Sequence, residues 1–172
     1  MSATYNVFEA ARQAGVRRVV FASTSHVTGF YPRTELVGPH HAPRPDTVYA
    51  VTKVFGEAFG RLYADKFGLE VVCVRIGAFS DVPDEPGARS MWLSRRDAVD
   101  LFSKCVSAPV TDFTVVYGVS ANADSWWDNT SAGSLGYAPK DSAETAPPGD
   151  GYQGGQYVAP SYHSYPDRKS PT

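Results

Sequence analysis

The chain has 172 residues, which is enough for one domain with a sizeable hydrophobic core. Its 16 basic residues are balanced by 18 acidic ones, so no excess of positive charge points to nucleic acid or to an anionic membrane. No apolar run approaches the roughly 20 residues that a membrane-spanning helix needs. The composition therefore predicts a globular protein with neither a nucleic-acid partner nor a membrane partner.

Helices and strands are predicted to alternate along the chain. Apolar spacing and turn residues place helices at 1–14, 47–67, 94–107 and about 124–135, and strands at 18–23, 70–76 and 113–117. Gly15, Gly68 and Gly136 follow three of these helices as stop signals. Short apolar strands that alternate with helices are typical of a parallel sheet joined by right-handed crossovers. The predicted fold class is α/β.

Two of the predicted helices begin with recognisable capping residues. Either Asp46 or Thr47 is a candidate cap for the helix at 47–67, and residues 94–97 resemble a capping box in which Asp97 replaces the usual Glu. The helix at 47–67 is expected to be amphipathic, with an apolar stripe at mostly helical spacing formed by Val48, Val51, Phe55, Ala58, Phe59, Leu62, Tyr63 and Phe67.

The same helix carries a tyrosine and a lysine four residues apart, Tyr49 and Lys53. Residues at this spacing lie on one face of a helix, so an ammonium group can stand beside a phenol. A nearby cation favours the ionised form of a phenol, which makes Tyr49 a candidate general base. A surface tyrosine on an ordinary helix is the alternative interpretation. A second match, Tyr165 and Lys169, lies among Ser and Pro without an apolar stripe and is set aside.

The cysteines and histidines predict no metal site and no disulfide. Cys73 falls in a predicted strand and Cys105 in a predicted helix, which favours two buried apolar side chains in a reducing compartment. The four histidines show no metal-ligand spacing. Because no signal-peptide pattern stands at the N-terminus, a cytoplasmic location is expected.

The chain is expected to divide into a globular part, residues 1–144, and a tail, residues 145–172. The tail carries five prolines and four glycines, a composition typical of a flexible segment. Against this, residues 152–158 interleave aromatic residues and could lie along a partner subunit or along the chain's own domain. Both interpretations stay open.

Several longer blocks of the sequence resemble the extended short-chain dehydrogenase/reductases. Within them the resemblance is to the NAD-dependent epimerase/dehydratase group, and there to the uronate dehydrogenases. The blocks that carry it span nearly the whole chain: residues 5–12, 19–29, 44–53, 74–77, 92–94, 115–122, 126–129, 139–141 and 153–155.

The resemblance implies an NAD-dependent oxidation of a small sugar acid, a cyclic uronic acid, to its lactone. Tyr49 would remove the proton from the anomeric hydroxyl, and Lys53 would support it and bind the nicotinamide ribose of NAD. Ile76 would also contact the cofactor. Thr24 stands where the family has a catalytic serine and keeps the hydroxyl. Ser23 is an alternative, although strand alternation points it to the other face.

The resemblance also assigns residues to the substrate. Ser25 and His26 match substrate-contacting positions, with Ser25 in place of an Asn. Arg89 is the candidate for the substrate carboxylate, since a guanidinium binds a carboxylate through two parallel hydrogen bonds. Arg89 lies two residues closer to Trp92 than the family's arginine does, and a solvated loop arginine paired with nearby acids is the alternative. Ala78 stands where the family usually has a serine.

The resemblance implies that a segment is absent. Family members begin with a strand, a glycine-rich turn and an acidic residue for the adenosine ribose, and no G-x-G-x-x-G follows a strand here. The chain is thus expected to form the C-terminal part of a Rossmann-like doubly wound parallel sheet and to be inactive alone. The strand at 18–23 would present an unpaired edge, which predicts marginal stability or association into a homo-oligomer.

Two other functions stay open at this point. One is a non-catalytic fragment that only associates with other subunits. The other is part of a nucleotide-sugar epimerase or dehydratase, whose members carry a longer substrate domain after the tyrosine–lysine motif. Because 119 residues follow Lys53, the compact uronate dehydrogenase type is favoured.

Overall fold

The computed structural model describes residues 2–83, 86–109, 112–144 and 150–162. The helices are α1 (Ser2–Gln13), α2 (Val48–Phe67), α3 (Arg95–Ser107) and α4 (Thr130–Ser134). The strands are β1 (Arg18–Thr24), β2 (Glu70–Ile76), β3 (Ala78–Phe79), β4 (Trp92–Leu93) and β5 (Phe113–Gly118).

The main sheet has three parallel strands in the order β1-β2-β5. In its register Thr24 pairs with Ile76, and Ile76 pairs with Gly118, so all three strands end at the same edge. The short strands β3 and β4 form a separate parallel pair beyond that edge. The predicted α/β class with a parallel sheet is confirmed.

The central strand β2 separates two hydrophobic clusters. Val71 and Cys73 pack with Phe8 of α1 and Tyr63 of α2 on one face of the sheet. On the other face, a second cluster comprises Val72, Val74, Leu101, Cys105, Ala108, Val116, Ala132, Leu135 and Tyr137. Alternate residues of a strand point to opposite faces, so β2 is apolar on both sides, as expected of a strand covered by helices on both faces.

Strand β1 lies at an edge of the sheet. Within the described part of the chain it pairs only with β2. Val19, Val20 and Phe21 are half-buried, whereas Ser23 and Thr24 at its end are buried. The predicted edge is thus present, and the association that it was expected to promote stays a prediction.

The buried face of α2 differs from the apolar stripe read from the sequence. Val48, Val51, Leu62 and Phe67 of that stripe are exposed, and the residues that α2 buries are Ala50, Gly56, Glu57, Gly60 and Tyr63. Small residues let the helix axis approach the sheet closely, which large apolar residues at those positions would prevent. The predicted stripe is therefore right at Tyr63, which is buried in the core, and at Phe59, which packs against it, but wrong at the four exposed residues.

Helix α3 begins as predicted, with Ser94 as its cap. The Ser94 Oγ accepts a hydrogen bond from the Asp97 backbone N at 3.0 Å. The second half of the predicted capping box is wrong, because the Ser94 N donates to the Ser120 Oγ at 3.0 Å. The Asp97 carboxylate instead accepts from Ser120, Lys140 and Asp141, since it is buried among these loops.

The last predicted helix is much shorter than expected. Residues 124–129 precede α4 in an irregular conformation, and Trp127 forms a bridge with Val37. The Trp127 ring stacks on the Tyr117 ring, with centroids 4.9 Å apart and an angle of 4° between the planes. Packing of the two tryptophans against β5 outweighs the helical spacing of this segment. Asn129 joins it to the strand, since its side chain exchanges two hydrogen bonds with the Tyr117 backbone.

Part of the C-terminal tail docks on the chain's own domain. Tyr152 pairs with Pro32 in an antiparallel bridge, and the Gln153 N donates to the Tyr31 O at 2.8 Å. The Gln153 side chain is buried and accepts a hydrogen bond from the Trp127 Nε1 at 3.0 Å. Of the two interpretations of residues 152–158, docking is the one observed. The second tyrosine–lysine match, Tyr165 and Lys169, lies outside the described residues.

The two cysteines are buried and unpaired, as expected. Cys73 lies in β2 and Cys105 in α3, so they belong to opposite faces of the sheet. In the described parts of the chain, none of the helices has the length and hydropathy that crossing a membrane would require.

Candidate active site

A cavity of about 430 Å³ opens where β1 and β2 end. Its walls come from the end of β1, the loop after β2 and the docked C-terminal segment. The lining residues are Thr24, Ser25, His26, Arg33, Ile76, Gly77, Ala78, Ala88, Met91, Gln153, Gly154, Gly155, Gln156 and Tyr157. Ligands of open α/β sheets bind outside the carboxyl ends of the strands, so the cavity lies where a substrate is expected.

Three of the predicted site residues meet in this cavity. Thr24 ends β1, Ser25 and His26 begin a 3-10 helix, and all three line the cavity wall. The Thr24 Oγ1 accepts a hydrogen bond from the His26 backbone N at 3.4 Å, which caps that short helix. Ser23 points to the opposite side, as strand alternation requires, and donates to the Glu57 Oε1 at 2.6 Å.

The tyrosine–lysine pair lies on the first turns of α2, where Lys53 contacts β1, the strand whose last residue, Thr24, lines the cavity. Thr47 rather than Asp46 caps this helix, since its Oγ1 accepts from the Ala50 N at 3.0 Å. The Lys53 Nζ stands 5.4 Å from the centroid of the Tyr49 ring and donates to the Ala22 O at 2.7 Å. Tyr49 is 51% exposed. The pair is thus assembled at β1 and accessible, although neither residue lines the cavity itself.

His26 is fixed by a buried carboxylate. Its Nδ1 lies 2.8 Å from the Asp46 Oδ2, and the Asp46 side chain is fully buried. On its other side the His26 ring meets the edge of the Tyr157 ring, with centroids 4.7 Å apart. When Nδ1 carries a proton and donates it to Asp46, Nε2 is left as an acceptor. Asp46 and Tyr157 were not assigned to the site from the sequence, in which Asp46 was considered only as a helix cap and Tyr157 only as part of the aromatic segment 152–158.

The remaining predicted site residues are divided between the cavity wall and the loop behind it. Ile76 ends β2 and lines the cavity, as does Ala78. Arg89 is half-buried in the 3-10 helix Pro86–Met91 but does not line the cavity. Its Nε is buried and has no hydrogen-bond partner among the described residues. Of the acids expected beside it, Asp81 pairs with Arg95, while residues 84 and 85 lie outside the described residues.

A buried polar network supports the strand ends from below. Arg75 of β2 donates to both carboxylate oxygens of Glu57, at 2.9 and 2.8 Å, and to the Tyr117 hydroxyl at 3.2 Å. Burial opposes the charge on Arg75, but the hydrogen bonds to Glu57 outweigh it and hold the pKa of Arg75 above its ordinary value. Burial raises the pKa of Tyr117 as well, so this hydroxyl stays protonated.

The described residues contain no cluster of side chains that could bind a metal ion. No group of three or more His, Cys, Asp or Glu side chains stands close enough together in that part of the chain to hold an ion. The donors that line the cavity are hydroxyls, an imidazole, an amide and a guanidinium, which suit a polar organic molecule better than a metal.

Comparison with known proteins identifies the family. The sequence profile of the NAD dependent epimerase/dehydratase family matches residues 1–80. The uronate dehydrogenase of Agrobacterium fabrum is 45% identical over 168 residues, which are 90% of this chain and 63% of that protein. Residues 1–80 thus match the NAD dependent epimerase/dehydratase family, and over 90% of its length the chain is similar to uronate dehydrogenases.

Solved structures of this family share the fold. A variant of uronate dehydrogenase from Agrobacterium tumefaciens complexed with NAD is 43% identical and superposes with a TM-score of 0.85, over 93% of this chain and 66% of that one. Glucuronic acid dehydrogenase from Chromohalobacter salexigens is 40% identical with a TM-score of 0.83, over 90% of this chain and 64% of that one. The fold is therefore Rossmann-like, as predicted.

The match is partial in one respect. The chain spans between 61% and 63% of the length of the three uronate dehydrogenases that it matches among characterised proteins.

Proposed function

We propose that this chain carries the catalytic and sugar-binding residues of an NAD-dependent uronate dehydrogenase. The observation that supports this best is the pairing of Tyr49 and Lys53 beside the end of β1, next to a polar cavity that Thr24 lines. Similarity to uronate dehydrogenases at 40–45% identity adds the reaction type. The reaction is oxidation of a cyclic uronic acid to its lactone.

The residues present suit the nicotinamide half of NAD. The ammonium of the half-buried Lys53 and the hydroxyl of the exposed Tyr49 are hydrogen-bond donors on the first turns of α2, and both suit a ribose diol. Ile76 offers an apolar, partly buried surface at the end of β2. When bound, NAD supplies the acceptor for a hydride.

The chain's own residues then handle the proton and the orientation of the sugar. Oxidation of the anomeric carbon breaks its C–H bond with departure of a hydride, and breaks the O–H bond with departure of a proton. Tyr49 takes that proton as general base, and Lys53 is the cation beside it, with its Nζ 5.4 Å from the centroid of the Tyr49 ring. Thr24 hydrogen-bonds the same anomeric oxygen through its hydroxyl and holds it toward Tyr49.

The other polar residues of the cavity orient the remaining hydroxyls of the sugar. Ser25 and His26 follow Thr24 directly, and the Asp46 carboxylate holds His26 in one ring orientation. Ser25 reaches less far than the Asn that it replaces, and Ala78 offers no hydroxyl. The docked segment adds Gln156 and Tyr157 to the cavity lining, with the Tyr157 ring against that of His26.

Association into a homo-oligomer and a cytoplasmic location belong to the same proposal. The half-buried edge of β1 supports the first, since an unpaired apolar edge tends to pair with another chain. The two buried free thiols are consistent with the second.

The test is an assay of NADH formation with D-glucuronate, with D-glucose as the neutral control. It is run on the 172-residue chain, and on a fusion in which the part of the Agrobacterium enzyme that this chain does not span precedes residue 1. We expect the fusion to oxidise D-glucuronate much faster than D-glucose. A fusion that folds and binds NAD but oxidises neither sugar would reject the proposed function in favour of a non-catalytic module.

A further inference from the structure

One wall of the cavity carries a guanidinium that the motif-based assignment did not include. Arg33 lines the cavity together with Thr24, Ser25 and His26. Among the described lining residues it is the only one with a permanent charge, and none of those residues is a carboxylate. The fixed charge of the cavity wall is therefore positive, and it lies far from Arg89 in sequence.

Arg33 is held in place by the docked C-terminal segment. Its backbone N donates to the Gly151 O at 2.9 Å, and its Nε donates to the Tyr152 O at 3.0 Å. The guanidinium carbon lies 5.4 Å from the centroid of the Trp126 ring. The Nε hydrogen bond and the aromatic face restrict the side chain before any ligand arrives, and the backbone bond fixes the loop that carries it, which lowers the entropy cost of binding.

The two terminal nitrogens of the Arg33 guanidinium are free to donate hydrogen bonds to a ligand. Neither the Nη1 nor the Nη2 of Arg33 has a hydrogen-bond partner among the described residues, because the Nε alone bonds the segment. Beside them Gly155 adopts a φ of 56°, which favours glycine, and a Cβ there would lie 3.4 Å from the Arg33 Nη2. Glycine at this position leaves room for an acceptor next to the fork.

A forked guanidinium with free terminal donors, in a cavity whose described lining residues include no carboxylate, has the chemistry to bind a carboxylate through two hydrogen bonds. We propose that Arg33 binds the carboxylate of the uronate substrate and thereby sets the preference for the sugar acid over the neutral sugar. The proposal rests on the proposed function. It differs from the motif-based expectation, since Arg89 stands behind the cavity wall rather than in it.

The test compares the affinity of purified chains for D-glucuronate and for D-glucose by titration calorimetry. These probes differ only in the carboxylate. We expect Arg33→Gln to weaken D-glucuronate binding about 10- to 100-fold, because hydrogen bonds to a charged group are lost, and to leave D-glucose binding unchanged. Arg89→Gln is the matched control and is expected to change neither affinity.

A second variant keeps the test decisive if Arg33→Gln does not fold. Arg33→Lys retains the charge but not the fork, so a selective loss smaller than that of Arg33→Gln is expected for D-glucuronate. Selective loss in Arg89→Gln instead would overturn the role of Arg33 and leave the proposed function standing. If changing Arg33 weakened the affinity for both sugars equally, its role would be structural and the proposal would be wrong. A wild-type chain without preference for D-glucuronate would reject the uronate substrate itself.

Discussion

Helix α2 carries two sets of polar side chains, about one turn apart, whose surroundings differ. Tyr49 and Lys53 lie at its exposed start, where the ammonium bonds the backbone of β1. Glu57 lies farther along on the buried side and is bound by both ends of the Arg75 fork. Tyr49 is exposed to solvent, whereas both carboxylate oxygens of Glu57 accept hydrogen bonds inside the protein.

The difference indicates a division of roles along one helix. The buried Glu57–Arg75 pair also takes up Ser23 and Tyr117, so it ties α2 to β1, β2 and β5 at once. A buried ion pair is costly to break, because the remaining charge loses its partner without regaining water. The exposed pair has no such structural duty. Mutations in the two groups should therefore change different measurements.

The largest effect on stability is expected at Glu57. Glu57→Ala leaves the Arg75 charge buried and unpaired, which typically costs about 3–5 kcal/mol in the free energy of unfolding. Urea denaturation followed by circular dichroism measures it. The control is Asp65→Ala on the same helix, which removes the exposed Arg61–Asp65 pair and should cost no more than about 0.5 kcal/mol. Similar losses in the two variants would contradict the division.

The opposite outcome is expected for Tyr49→Phe. In the fusion protein this change should lower the rate of NADH formation about 10²–10⁴-fold, because the general base is removed. The free energy of unfolding should stay nearly the same, since the Tyr49 side chain is half-exposed. Tyr5→Phe, at an equally exposed tyrosine of α1, is the control and should change neither quantity. Activity within a few-fold of wild type for Tyr49→Phe would reject its role as base.

A smaller effect, on both groups at once, is expected at Gly56. A Cβ at this position would lie 2.2 Å from the Phe21 ring, whose centroid is 5.2 Å from the Lys53 Nζ. Overpacking typically costs about 1–3 kcal/mol, and the better helix propensity of alanine returns about 1 kcal/mol. We expect a net loss of the order of 1 kcal/mol in the free energy of unfolding.

The control is Gly133→Ala in α4, where a Cβ meets no atom within 4 Å. That change should stabilise the protein slightly, because alanine favours the helix without a clash. Thermal unfolding of the two variants distinguishes them by the sign of the change in Tm. If Gly56→Ala raised the Tm instead, the Phe21 ring would have to move away from the new methyl group at little cost.

The smallest effect should be confined to acid pH and to α1, outside both groups. The hydrogen bond from Arg12, with those from Gln13 and Tyr63, lowers the pKa of Glu9 to about 2 from 4.5. A carboxylate with a lowered folded-state pKa stabilises the fold above pH 4.5, and that contribution disappears as pH falls toward 2. Wild type and Glu9→Gln should therefore differ in urea midpoint at neutral pH and converge in acid. A gap that persists at pH 2 would contradict this assignment.

Much of the fold was predictable, because β2 and its neighbours are short, apolar on both faces and separated by helices with clear stops. The errors arose where tertiary packing overrode local pattern. Four residues of the apolar stripe of α2 are exposed, since Gly56 and Gly60 permit a closer approach to the sheet than large residues do. The predicted helix over residues 124–135 was too long, because Trp127 stacks on Tyr117 instead.

The candidate site divides in the same way. The positions of Thr24, Ser25, Tyr49 and Lys53 were predictable, because they lie at the end of a predicted strand and on a predicted helix, and their roles in a reaction stay predictions. Arg33 was missed, because its place in the cavity depends on hydrogen bonds to residues more than a hundred positions later in the chain. No local pattern in a sequence reports such a contact. The glycine pair before Gln156 was the one available signal, and its meaning became clear only in the docked conformation.

The two buried free thiols can serve as probes of local unfolding. Burial raises the pKa of the Cys73 thiol, and it raises the pKa of Cys105 to about 11, so both are protonated and unreactive at neutral pH. An alkylating reagent can therefore modify each one only during the moments when its surroundings separate. Alkylation of Cys73, in the central strand, would report unfolding of the sheet. Alkylation of Cys105 would report separation of α3 from the sheet. Mass spectrometry during a single alkylation reaction would show which of the two cysteines is modified first.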